Sequence, residues 1–354
     1  MWKNNYSEAR HLFREYCSKT YNGYNKKSGN FFIDGDQETT IDYLFLQHEQ
    51  SKKLHILISG THGVEGYAGS AIQFKTLDII LKKSESSSDA PISYLMIHAL
   101  NPYGYKNNRR CTKNNIDLNR NYLETDNFHE PDYPHQIFEL VSTYLFSFYF
   151  IYLFFSILFQ YGYTKAREYI VKGQYSYEQG LFYGGKKREQ NITVLETLLS
   201  GIDYKSYDDI YIFDIHTGLG KYGELSVMVF EQDTVETLTN LPYNIHTKLV
   251  NMGTDNMYKE SKGSIVDGIY EYFEKRHEKI NINPIILEYG TYSNLRIFAG
   301  LLLENYYYRN IFQRNMLEGW HDANQKLKSL FYIKNEDWQE LVIDNYLDFI
   351  QLLN

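Results

Sequence analysis

Cysteine is nearly absent. Among 354 residues only Cys17 and Cys111 occur, too few for a disulfide framework and in keeping with a reducing compartment. Blocks of positive charge are missing as well. The densest Lys/Arg cluster is GGKKRE at 184–189, and the net charge is −8, so no phosphate-binding face and no nucleic-acid partner are expected. The opening MWKNNYSEARHLFREY is charged and amphipathic and lacks the apolar stretch of a signal peptide, which makes a cytoplasmic location the expectation. No internal repeat is visible. What the chain does have is apolar surface to bury: 43% of its residues are hydrophobic, ample for the core of a globular protein. Its 35 tyrosines, beside many Asn, Ile and Lys, read as compositional drift.

One stretch departs from that soluble pattern. LVSTYLFSFYFIYLFFSILF, residues 140–159, runs for twenty residues without a charge, the length of a membrane span. Polar clusters that must meet in one site lie on both sides of it, and a single span would separate them. Ser142, Thr143, Tyr144, Ser147 and Ser156 also interrupt the hydrocarbon. The expectation is therefore a buried core helix, or an amphipathic helix presenting an aromatic face, with a membrane anchor formed by this helix as the alternative.

Strand-like runs recur at 43–47, 54–59, 93–100, 209–216, 225–230 and 284–290, with helical patterns at 67–82, 189–200, 234–251 and about 294–330. Such alternation predicts an α/β fold, a mixed sheet of about eight strands with helices on both faces. A single domain over 1–354 is expected, with a helical, aromatic-rich insertion at about 121–185. SESSSD at 84–89 reads as an exposed linker.

Chemistry gathers at the ends of these strands. LHILISGTHGVEG places His62 and Glu65 just after a strand, and DIYIFDIH ends in His216 before a glycine-bearing loop. Each histidine alone could be a satisfied core or loop residue, but two imidazoles and a carboxylate at strand ends form the set that holds zinc with one position open. Asp214, on the same strand face as His216, can accept the proton of a ring nitrogen. Glu288 closes another apolar strand, where a carboxylate needs either a basic partner or work as a proton acceptor. After the strand at 93–100, Arg109, Arg110, Asn119 and Arg120 fall within a dozen residues, a cluster suited to a carboxylate and to a developing oxyanion.

Taken in order, H-x-x-E (62–65), N-P-x-G (101–104), the arginine loop ending in DLNRNY (117–122), D-x-H-T-G (214–218) and EYG (288–290) resemble the zinc carboxypeptidase clan. A bacterial branch of that clan has near counterparts of SGTHGVEGYAGSAIQ and NIDLNRNY, and YSEAR and GLFYGG are similar to it too. The resemblance spans about residues 6–300. It implies one Zn²⁺ per chain on His62, Glu65 and His216, with Glu288 as general base. It also implies that Arg110 polarises the carbonyl, and that Asn119 and Arg120, with Arg109 nearby, grip a terminal carboxylate. The implied activity is hydrolysis of an amide next to a free carboxylate, in a small peptide or an N-acyl amino acid. The latter is suggested by the D-L-N-R and D-x-H-T motifs shared with aspartoacylase and succinylglutamate desuccinylase. A relative that binds carboxylates without turnover is the further alternative. Thr112 and Asn115 stand where peptide-trimming members commonly carry Asn and Gly, and no single tyrosine stands out as the clan's mobile one.

Overall fold

A computed structural model describes residues 1–82, 90–124, 128, 148–254, 262–276, 280–310 and 316–353. Eight strands form one mixed sheet: β1 (Asn25–Ile33), β2 (Asp36–Gln47), β3 (Lys53–Ser59), β4 (Ile92–His98), β5 (Asp209–Gly218), β6 (Leu225–Val229), β7 (Thr247–Asn251) and β8 (Asn281–Gly290). Their spatial order is β1-β2-β4-β3-β5-β8-β6-β7. β4, β3, β5 and β8 run parallel, while β2 and β6 lie antiparallel on either side of them. The central strands are apolar because both of their faces are covered. In β3 every residue after Lys53 is buried, the continuous pattern of a parallel strand between two helical layers.

Ten helices are present among the described residues. On one face α1 (Tyr6–Ser18), α2 (Gly66–Lys82), α6 (Gln232–Thr239) and α10 (Glu336–Leu352) pack on Leu57, Phe213 and Leu287. On the other, α5 (Gln190–Ser200) and α7 (Ile265–Glu274) cover Ile56, Ile58 and Ile212. The short α3 (Pro102–Lys106) follows β4, with Asn101 as its side-chain cap and Pro102 in its first turn, where a missing N–H costs nothing. Near the carboxyl ends of the parallel strands lie α8 (Asn294–Arg309), α9 (Met316–Phe331) and α4 (Phe148–Val171).

Two expectations change. Residues 234–251 are not one helix: α6 ends at Thr239, and Thr247–Asn251 pairs with β6 in parallel. Pro242 lies between them, where it cannot continue a helix. The aromatic run is also not simply buried. Its first eight residues, like 84–89 and about a third of the expected insertion, lie outside the described residues. From Phe148 onward it is α4, broken at Gly162, where φ is 71°. Leu153 and Ile157 are buried, whereas Phe148, Tyr152, Phe155 and Phe159 are exposed at the i, i+4, i+7, i+11 spacing of one helix face. That matches the amphipathic alternative. Among the described residues no helix is long and apolar enough to cross a membrane.

The chain leaves β3 through α2 to β4 on one side, and later enters β5 on the other. The crevice at the carboxyl ends of β3 and β5 is thus a switch point, the place where open α/β sheets bind ligands. Its floor is fixed by backbone. Gly63 and Val64 donate their N–H groups to the carbonyls of Arg110 and Arg109 at 3.3 and 2.8 Å. A Cβ on Gly63 would lie 2.0 Å from the carbonyl carbon of Gly104, so only glycine allows the approach. Gly63→Ala should therefore destabilise the fold by at least about 1–3 kcal/mol, the range for overpacking. Urea unfolding checks this, and an unchanged midpoint would contradict the packing.

Candidate metal centre and its pocket

His62 leaves the end of β3 in extended conformation, and the single 3-10 turn Gly63–Glu65 brings Glu65 back beside it. His216 comes from β5, where it pairs in register with Glu288 of β8, so the two side chains share one face of the sheet. All four are buried. One ligand atom from each of His62, Glu65 and His216 can be chosen so that all three lie within 4.8 Å of one another.

The hydrogen-bond roles can be worked out. Nε2 of His62 lies 3.0 Å from Oδ1 of Asp117, and Nε2 of His216 lies 2.7 Å from Oδ2 of Asp214. Ionised carboxylates only accept, so each Nε2 carries the hydrogen. Both Nδ1 atoms then face Glu65, at 3.0 Å for His62 and 2.8 Å for His216. Nδ1 of His62 makes no hydrogen bond there despite its distance. Neutral rings would thus direct two lone pairs at a carboxylate, an arrangement that calls for a cation between them. Two imidazole nitrogens and one carboxylate fit zinc, and three protein ligands leave a coordination position for water or substrate.

The surroundings agree with a positive centre. Burial raises the Glu65 carboxyl, but the charges of His62 and His216 outweigh it and hold the group well below the usual carboxylate range. Burial likewise opposes ionisation of Asp117, and Arg110 and His62 overcome it, leaving Asp117 well below its ordinary value. For His216 burial favours the neutral ring, yet Asp214 and Glu65 raise it well above 6.5. Without a cation it is an imidazolium between two carboxylates. Glu288 goes the other way: burial first, then the charge of Glu65, push it up to about 8. Its Oε1 accepts the N–H of Leu219 at 2.8 Å, and no Lys or Arg pairs with it among the described residues.

Around these groups opens a cavity of about 200 Å³. Arg110 lines it, with Nε on Oδ2 of Asp117 at 2.9 Å and Nη1 3.6 Å from Oε1 of Glu65. Asn119 and Arg120 line it too, but their polar groups are turned to the protein. The Asn119 amide lies 3.2 Å from Nε2 of His216 and accepts the N–H of Ile265. Arg120 donates to the carbonyls of Val171 and Asn119, fastening the end of α4. Arg109 does not reach the cavity. It is fully buried on the far side of the loop, on Glu304 at 2.7 Å and Asn115 at 2.9 Å, with its guanidinium 3.2 Å from the centre of the Tyr308 ring. The carboxylate of α8 supplies the counter-charge that a substrate was expected to bring. Two residues were missed: Asp117, within the motif DLNRNY, which the need of His62 for a proton acceptor could have identified, and Arg167, brought in by α4.

Sheet and site together define an α/β protein with a buried His-Glu-His cluster at its switch point. The chain belongs to the family described as "Protein of unknown function (DUF2817)", whose model matches residues 2–345. No curated protein matches the sequence. Solved structures similar in fold include carboxypeptidase A from Helicoverpa armigera, at 12% identity and TM-score 0.46, over 97% of this chain and 73% of that one. A metallo-carboxypeptidase from Burkholderia cenocepacia is similar at 13% identity and TM-score 0.46, over 97% and 70%. An aspartoacylase family protein from Mesorhizobium loti is similar at 11% identity and TM-score 0.37, over 77% and 64%.

If Asp117 fixes the ring of His62, Asp117→Asn should weaken zinc binding by roughly 10- to 100-fold, as for loss of such supporting carboxylates. Competition with a chromophoric chelator measures it. Because His216 holds a proton that the cation must displace, affinity should rise with pH between about 6 and 8, and calorimetry in buffers of different ionisation enthalpy should show proton release. A pH-independent affinity would place the metal elsewhere.

Proposed function

We propose that the protein is a zinc-dependent hydrolase that cuts an amide bond next to a free carboxylate. The observation that carries this reading is the pairing of an open three-ligand cluster with Glu288, a buried carboxyl one strand away with no Lys or Arg partner among the described residues. Zinc in such a set would acidify water and polarise a carbonyl. The chain's own groups supply the rest. Glu288, in its ionised form, takes the proton of the attacking water and delivers it to the leaving nitrogen. Arg110, held by Asp117 and facing Glu65, presents its remaining guanidinium N–H groups to the oxyanion that develops on the carbonyl. Apolar side chains such as Phe154, Ile157, Phe298 and Phe331 line the cavity, and a less polar surrounding strengthens both interactions.

An anionic substrate follows from the charge of the lining. Beyond the three metal-facing residues the cavity carries, among the described residues, Arg110, Arg120, Arg167 and one carboxyl, Glu288. A small peptide with a free C-terminus and an N-acyl amino acid both satisfy this, and the apolar walls suit either.

Two outcomes test the reading. Arg110→Ala should lower kcat and kcat/KM together by on the order of 10² to 10³, as for loss of an oxyanion donor. A rise in KM alone would make Arg110 a binding residue. Since Glu288 must be ionised to accept a proton, kcat/KM should fall as pH drops through its pKa. That pKa is about 8 without metal; a cation offsetting the charge of Glu65 lowers it, so the acid limb should lie below 8. Glu288→Gln should remove the limb and lower kcat by roughly 10² to 10⁴, the usual contribution of a general base. An unchanged pH profile in that variant would reassign the base.

A further inference from the structure

The three arginines of the cavity are not equivalent. Arg110 is bound to Asp117 beside the metal-facing groups. Arg120, the residue expected to grip a terminal carboxylate, directs Nε, Nη1 and Nη2 at backbone carbonyls. Arg167, half-buried on α4, lines the same cavity and has no hydrogen-bond or ion-pair partner among the described residues. Its neighbour Glu168 does not neutralise it, because Lys165 and Lys172 take that carboxylate at 2.8 and 3.7 Å. An arginine that lines an apolar cavity, with no counter-charge among the described residues, is matched by an anion that arrives with the ligand.

The rest of α4 describes the group beside that anion. Phe154, Ile157, Leu158 and Ile170 line the cavity from the same helix, and Phe298 and Leu301 face them from α8. Filling such a wall with apolar side chain is favourable by about 25 cal/mol per Å² removed from water. A charged or very small side chain would leave it unfilled.

We propose that Arg167 takes the free carboxylate of the substrate, and that the residue bearing this carboxylate has a bulky apolar side chain packed under α4. Specificity then resides in the inserted helix, while the 109–120 loop serves the reacting carbonyl and the fold. The proposal rests on the amide-hydrolase reading for its substrate, but its test needs no turnover.

Calorimetry of the zinc-loaded protein with 3-phenylpropanoate, 3-phenylpropanamide and acetate reads both halves. Wild type should bind the aromatic acid at least about tenfold more tightly than either the amide or acetate. Arg167→Ala, on a partly exposed helix face and checked by its melting temperature, should bind acid and amide alike, and Arg167→Lys should recover part of the preference. An Arg167→Ala protein that still prefers the acid as strongly as wild type would overturn the assignment, leaving the carboxylate to the metal, Arg110 or Arg120. Equal binding of acetate and 3-phenylpropanoate by wild type would overturn the apolar half. Loss of acid preference in Arg167→Ala, in a protein that hydrolyses no amide, would uphold the anchor and remove the hydrolase reading. Turnover with the preference intact in the variant would do the reverse.

Discussion

Glu65 faces Nδ1 of His62 and Nδ1 of His216 at 3.0 and 2.8 Å, and the rest of the site follows from holding these three donors together. Their outer nitrogens are fixed by Asp117 and Asp214, so the inner ones have lone pairs to give. Asp214 is in turn held by Thr61 at 2.6 Å, and Glu65 also accepts the N–H of Thr217 at 3.1 Å. Such a shell has no room to relax by rotating one ring. It stays mutually repulsive until a cation or a proton enters, which is how a rigid site acquires affinity for a metal.

The same constraint orders what surrounds it. Gly63 and Val64 bind the carbonyls of Arg110 and Arg109, so the turn that carries two of the metal-facing residues also aims the arginine loop. Arg110 turns inward to Asp117 and Arg109 outward to Glu304, so two adjacent arginines face opposite sides of the loop. Glu288 sits beside His216 across the β5–β8 ladder, close enough for the charge of Glu65 to raise it. A buried carboxyl raised by burial and a like charge is what a proton acceptor operating near neutral pH requires. Helix α4 then forms one wall and adds Arg167 to the arginines of the lining.

Much of this was legible because it is local. The central strands are short apolar runs, and His62, Glu65, His216 and Glu288 stand at their ends among glycines. The edge strands were not: β1, NKKSGNFFI, is mostly exposed, so it has no buried face to betray it, and β7 is too short and half-exposed to separate from the helix before it. Asp117 was in view within DLNRNY, but its partner His62 is 55 residues away, a pairing no spacing shows. Arg109 and Arg110 looked alike in sequence and were divided only by Glu304, on a helix far along the chain. Arg167 depends on how α4 folds back over the cavity, which a hydrophobic run by itself does not reveal.

The central claim is that His62, Glu65 and His216 together hold one zinc. X-ray absorption at the zinc edge on purified protein, beside the His216→Ala variant, tests it most directly. The expected first shell has two imidazole nitrogens and light oxygen donors at about 2.0–2.2 Å with no sulfur, at one zinc per chain, and one imidazole fewer in the variant. A shell containing sulfur, or one unchanged by loss of His216, would contradict the account.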